Sequence, residues 1–139
     1  MYKKTITYED FNGNVRTEDF YFNLTRSELI KLEVSRDGGL EVYLQKIVNA
    51  QDVPAMMDAF DKIIMAAYGV KSEDGRSFMK SEKISNEFAS SNAYDALFTE
   101  LLTNSDAAAA FVNGIMPKLS ENEKKKLELV EKASANASK

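Results

Sequence analysis

The chain begins with two segments in which apolar and polar residues alternate. Residues 2–8 and 15–23 are rich in Thr, Tyr, Phe, Ile and Val and have a period of two, which is typical of β-strands. Tyr2, Ile6 and Tyr8 share one face of the first segment, and Phe20, Phe22 and Leu24 share one face of the second and its end, all at even positions. The pattern therefore predicts an N-terminal β-hairpin over residues 2–24 with one apolar face.

Asn12-Gly13 marks the turn of this hairpin, and the even positions restrict the loop length. A two-residue Asn-Gly loop would place Ile6 opposite Asp19 and would mix the two faces. A loop with an odd number of residues keeps even positions opposite even positions. We therefore expect a bulged loop of three to five residues, with Gly13 left-handed in its three-residue form.

The pattern then changes to the i, i+3, i+4 spacing of amphipathic helices. Thr25 and Glu28 have the spacing of a capping box before a short first helix, and a second helix is expected over residues 40–50. The longest predicted helix has Asp52 as its N-cap and ends at Gly69.

Three shorter helices are predicted downstream of a loop over residues 70–77. The first begins at a cap formed by Ser81, the second follows Ser91-Asn92, and the third begins at a cap formed by Ser105 and ends at Pro117. A lone hairpin is only marginally stable in water, so its apolar face has to pack on the helices. The predicted fold class is α+β, mainly α, with the N-terminal β-hairpin packed on a bundle of about five to six helices.

Residues 118–139 differ in kind from the rest of the chain. They contain six lysines and four glutamates, a net charge of +2, whereas the whole chain has −4, which leaves −6 for residues 1–117. We expect residues 1–117 to form a single α-rich domain and residues 118–139 to form a charged helical arm with a frayed tail. Candidate partner-binding residues on this arm are Lys124, Lys125, Lys126, Leu127 and Val130. The alternative is a solvated helix face.

The composition argues against several function classes. The chain has neither cysteine nor histidine, so thiolate ligands, imidazole ligands and Ser-His-Asp triads are absent. No glycine pattern fits a phosphate-binding loop, and the acidic body lacks the basic face of a nucleic-acid binder. No apolar run is long enough for a membrane span or a signal peptide, which favours an intracellular protein. We predict no enzyme activity, no metal and no cofactor.

Two other features have an ordinary and a functional interpretation. Asp58 and Asp61 are three residues apart and share a predicted helix face, as some metal-binding carboxylates do, although a solvated face is the favoured interpretation. The apolar stripe of residues 56–68 contains several methionines and aromatic residues. It favours core packing over an adaptable binding groove.

Several segments resemble those of tail assembly chaperones encoded in the tail modules of long-tailed phages and prophages of Gram-positive bacteria. The resemblance covers about residues 1–117. The segments that carry it are YKKTITY (2–8), FNG (11–13), RTEDFYFNL (16–24), GGL (38–40), Ala66 with Tyr68 and Gly69, SEDG (72–75), AAAAF (107–111) and NGI (113–115).

This resemblance implies a binding protein without catalytic chemistry, acting in the host bacterial cytoplasm. It implies that the partners are the tape measure protein, which is kept soluble, the tail tube protein, which is recruited, and further copies of the chain itself. It also implies, for some members, a longer frameshifted product. The alternatives are a small structural virion protein of the tail or head-completion type and a phage-encoded inhibitor of a host protein.

Overall fold

The computed structural model describes residues 1–33 and 51–117. The predicted helix over residues 40–50 and the C-terminal arm lie outside the described residues. The strands are β1 (Tyr2–Glu9), β2 (Val15–Phe22), β3 (Tyr68–Lys71) and β4 (Phe78–Met79). The helices of the described ranges are α1 (Arg26–Glu33), α2 (Val53–Ala67), α3 (Glu82–Ala89), α4 (Asn92–Thr103) and α5 (Ser105–Ile115).

The N-terminal hairpin is confirmed, but it belongs to a larger sheet than predicted. The sheet has four antiparallel strands in the order β1-β2-β3-β4. Its last two strands lie at the two ends of the segment predicted as a loop. Tyr21 and Phe22 of β2 pair with Gly69 and Tyr68 of β3, which joins these strands to the hairpin. The α+β class is therefore confirmed, and the two-stranded ribbon is corrected to a four-stranded sheet.

The hairpin loop follows the predicted parity. Every pair in the β1–β2 register joins positions of equal parity, ending with Glu9 opposite Val15. The Gly13 N–H donates to the Asp10 carbonyl at 3.0 Å, and the Asp10 N–H donates to the Asn14 carbonyl at 2.8 Å. Gly13 has a φ of 83°, in the left-handed region. The loop is the bulged form, and all even positions of the hairpin share one face.

Side-chain caps begin the helices, mostly where the sequence places them. The Thr25–Glu28 capping box is confirmed: the Glu28 N–H donates to Thr25 Oγ1 at 3.2 Å, and the Thr25 N–H donates to Glu28 Oε1 at 2.9 Å. Asp52 and Ser81 are N-caps as predicted, and Ser91 is the N-cap of α4. The cap of α5 is Asn104 and not Ser105, which is the first residue of that helix.

Gly69 has a different role from the predicted helix stop. Helix α2 ends at Ala67, Tyr68 is already extended, and Gly69 lies within β3. A Cβ atom at Gly69 would come within 2.7 Å of the Phe78 ring and 2.9 Å of the Met79 carbonyl. The position needs glycine because the neighbouring strand passes directly over it.

One cluster of buried apolar side chains joins the sheet to the helices. Phe22 is at its centre, with ring centroids 5.6 Å from Tyr68, 5.7 Å from Phe88 and 5.2 Å from Phe111. The buried members of the cluster are Ile6, Phe22, Leu24, Ala59, Phe60, Ile63, Ile64, Ala67, Phe88, Ala93, Leu97, Leu101, Phe111 and Ile115. Residues from both ends of the described chain therefore share a single core.

Lys80 closes the junction beside this core. Its ammonium group donates to the Asn23 carbonyl at 2.6 Å, to the Ala66 carbonyl at 2.9 Å and to the Glu28 carboxylate at 2.8 Å. Burial alone would raise the pKa of Glu28, but hydrogen bonds from Lys80 and Thr25 outweigh burial and hold it below its usual value. Lys80 thus ties the end of β2, the start of α1 and the C-terminal turn of α2 together.

Replacing Phe22 with alanine should destabilise the protein strongly. We expect Phe22→Ala to lower the free energy of unfolding by about 3–5 kcal/mol, because the ring is fully buried and the change leaves a cavity. Val15→Ala on the same strand is the control, and its exposed side chain predicts a change within about 0.5 kcal/mol. Urea unfolding followed by circular dichroism measures both. Equal effects of the two variants would contradict this description of the core.

Candidate interaction surfaces

The sequence-predicted partner-binding residues lie outside the described residues. Lys124, Lys125, Lys126, Leu127 and Val130 therefore remain a prediction. Within the described ranges, the candidate interaction surfaces consist of exposed apolar side chains, the charges around them and unpaired backbone groups.

The carboxylates of Asp58 and Asp61 on α2 are bonded to other side chains. Asp61 accepts a hydrogen bond from the Tyr94 hydroxyl, and Asp58 pairs with Lys62 at 3.0 Å. Burial and the contact with Asp61 raise the pKa of Tyr94 well above its usual value. Within residues 1–33 and 51–117, no three potential metal ligands come together. The contacts of the two aspartates are those of a tertiary hydrogen bond and an i, i+4 ion pair.

The apolar stripe of α2 is mainly core. Phe60, Ile63 and Ile64 are buried in the common cluster, which confirms core packing for the central part of the helix. Val53 and Met57 in the first turns are exposed. The stripe therefore changes from exposed to buried along the helix.

The tip of the hairpin exposes two large apolar side chains that the sequence analysis did not single out. Phe11 is 79% exposed and Val15 is 74% exposed, the highest values among the large apolar residues of the described ranges. Phe11 follows Asp10 in the loop, where the fold does not require an aromatic side chain. We refer to residues 9–16 as the hairpin tip.

The Asp10 carboxylate holds the hairpin tip in one conformation. Its Oδ1 accepts from the backbone N–H groups of Asn12 and Asn14, both at 2.9 Å, and its Oδ2 accepts from Arg16 Nε at 2.6 Å. The bond from Arg16 and the two backbone N–H groups lower the pKa of Asp10. Phe11 is thus displayed on a loop that is ordered without a partner.

Acidic side chains surround the hairpin tip. Glu9, at the start of the tip, is exposed. Asp19 follows on β2, where its carboxylate accepts a hydrogen bond from Thr5 Oγ1 at 2.6 Å. Arg16 is the basic residue of this region, and its guanidinium is shared between Asp10 and Glu18, with 3.7 Å to the latter. The tip combines exposed apolar groups with a negative local charge.

The outer edge of β1 is a further exposed feature. The side chains of Lys3, Thr5, Thr7 and Glu9 are exposed, and among residues 1–33 and 51–117 β1 has a hydrogen-bonded strand neighbour on one side only. An unpaired strand edge presents backbone donors and acceptors that another strand is able to use. This edge and the hairpin tip are continuous with each other.

The described ranges thus combine a closed core with exposed apolar and backbone groups outside it. Within the described ranges, no helix has the length and apolarity needed to cross a membrane. A family model described as phage tail assembly chaperone matches residues 1–138. The chain belongs to this family, as the resemblance predicted, and the match extends beyond the residues that carried the resemblance. No curated protein and no solved structure matches the chain.

Membership of this family gives the chain an assembly role in phage tail formation. Such a role requires protein partners and needs no covalent chemistry. The exposed groups of the hairpin are compatible with it, because they lie outside the buried cluster.

Loss of the Asp10 carboxylate should loosen the hairpin tip without unfolding the protein. In Asp10→Ala, we expect about tenfold faster amide exchange of Asn12 and Asn14, because both N–H groups lose their acceptor. Asp19→Ala is the control, since that exposed carboxylate bonds Thr5 and not the loop amides. NMR exchange measurements compare the variants, and unchanged loop amides in Asp10→Ala would contradict the assigned role.

Acid should also loosen the hairpin tip of the wild-type protein and speed the amide exchange of Asn12 and Asn14. The pKa of Asp10 is lower in the folded state than its ordinary value of 3.8. The stabilisation of the hairpin tip by the ionised carboxylate is therefore complete above that value. The contribution is lost as the pH falls through the lower folded-state pKa.

Proposed function

We propose that this chain is the chaperone of a tape measure protein: it binds that protein, keeps it soluble and helps to recruit tail tube subunits in the host bacterial cytoplasm. The family match over residues 1–138 carries the proposal. A tape measure protein is a long amphipathic helical chain whose exposed apolar stripe favours aggregation. A small acidic protein that covers this stripe improves the solubility of the complex.

The charge distribution supports a division between body and arm. We propose that residues 1–117 form the folded body and that residues 118–139 form an arm that contacts the partner. The arm carries a net charge of +2 beside a body of −6, and it combines a lysine run with Leu127 and Val130. Lysines next to an apolar helix face fit an amphipathic partner helix with acidic flanks. Self-association of the chain completes the proposed function.

Co-expression with the tape measure protein tests this function directly. We expect the tape measure protein of the same gene cluster to be insoluble alone, and to become soluble and co-purify with this chain when the two are expressed together. An unrelated acidic protein of similar size is the control. A tape measure protein that stays insoluble and does not co-purify would refute the proposal.

Changes on the arm should weaken the complex selectively. We expect replacement of Lys124, Lys125 and Lys126 by serine to reduce affinity for the tape measure protein by about tenfold, because three cationic side chains leave the interface. Serine at Lys62, Lys71 and Lys83 makes the same change of net charge on exposed positions of the body and is the matched control. Co-expression followed by purification compares the amounts of tape measure protein that each triple variant retains, and equal amounts would count against the arm.

A further inference from the structure

The backbone groups along the outer edge of β1 follow from the register of the hairpin. The Asp10 N–H donates to the Asn14 carbonyl, so Asp10 directs its N–H toward the second strand, and this direction recurs at every second residue of an antiparallel ladder. Even residues of β1 therefore direct their N–H and C=O groups toward β2. The odd residues Lys3, Thr5 and Thr7, together with Glu9, direct theirs away from the sheet.

This edge has almost no hydrogen-bond partners in the described ranges. The Asn92 side chain donates to the Glu9 carbonyl at 2.8 Å, which confirms that this carbonyl points outward. The outward backbone groups of Lys3, Thr5 and Thr7 have no protein partner among residues 1–33 and 51–117. Strand β1 is eight residues long, so the open edge is extensive.

We propose that this edge binds the β1 strand of a second copy, antiparallel and about a two-fold axis at Ile6. In this register, Lys3 lies opposite Glu9 of the second copy, and Thr5 lies opposite Thr7 of the second copy. The two-fold axis repeats both pairs, so each cationic end of one strand meets an anionic end of the other. The two four-stranded sheets become one continuous sheet.

The same register brings two exposed apolar residues together. Beyond the ends of the paired strands, the N-terminus of one copy lies near the hairpin tip of the other, which places Met1 close to the loop that carries Phe11. Met1 is 56% exposed and Phe11 is 79% exposed in the single chain. The association therefore gives the side chain at the hairpin tip an apolar neighbour, and it does so twice.

The hydrogen-bonding groups allow this register, and the Lys3–Glu9 pairs favour it over its neighbour. Only odd positions point outward, so the facing positions have to be odd on both strands. A register shifted by two places Lys3 opposite Thr7 and leaves Glu9 without its lysine. The Glu9 carbonyl, already bonded to Asn92, has a second lone pair for the new strand.

The inference specifies the self-association included in the proposed function, and it does not depend on the tape measure protein. A chain that binds the tape measure protein as a monomer would refute the edge pairing alone. A chain that pairs through β1 but binds no tape measure protein would refute the chaperone function alone.

Proline substitution at the edge tests the pairing. Thr5→Pro removes an outward N–H and places a ring in the path of the second strand, without loss of a backbone bond to β2. Thr17→Pro is the matched control: Thr17 is also exposed, also bonds a side chain across the hairpin, and lies beyond the part of β2 that pairs with β3. Sedimentation equilibrium of the full chain should show wild type and Thr17→Pro as dimers, and Thr5→Pro at least about tenfold weaker.

Charge exchange tests the register and remains informative if the proline variants lose their fold, as circular dichroism would show. Lys3→Glu alone and Glu9→Lys alone each place like charges opposite each other twice, and each should weaken the dimer by about tenfold. The combined variant Lys3→Glu/Glu9→Lys should return the dimer to near wild-type strength. A monomeric wild-type chain, or a combined variant as weak as the sum of the single changes, would overturn the proposal.

Discussion

Burial of Phe22 is the interaction on which the rest of the fold depends. Its ring lies between Tyr68 of β3, Phe88 of α3 and Phe111 of α5, so one side chain of the hairpin contacts three distant parts of the chain. This contact fixes which face of the hairpin is inside. Because side chains alternate along a strand, the odd positions of β1 face outward.

The outward half of the hairpin is therefore available for partners while the inward half holds the core together. Phe11 is exposed on a loop that Asp10 keeps ordered, and the outer edge of β1 presents backbone groups that have no strand partner within the described part of the chain. Ordered groups lose less conformational entropy on binding than mobile ones. A chaperone that exchanges partners during assembly benefits from surfaces that work without rearrangement of the core, and this separation is the main structural support for the proposed function.

Much of this fold is predictable because its signals are local. The parity of the apolar positions determines the loop around Gly13, and the spacing of Thr25 and Glu28 specifies the capping box. Strand β3 was missed because four residues are too few to show alternation, and its pairing depends on Tyr21 and Phe22 far upstream. The exposed Phe11 was missed because a turn residue gives no periodic signal, and its exposure emerges only from the folded hairpin.

The most direct measurement of the central claim is amide hydrogen exchange of the full chain with and without the tape measure protein. We expect binding to protect the amides of residues 118–139 and to leave the exchange rates of the core amides around Phe22 and Phe111 unchanged. Absence of any protection, or faster exchange of core amides in the presence of the tape measure protein, would contradict it.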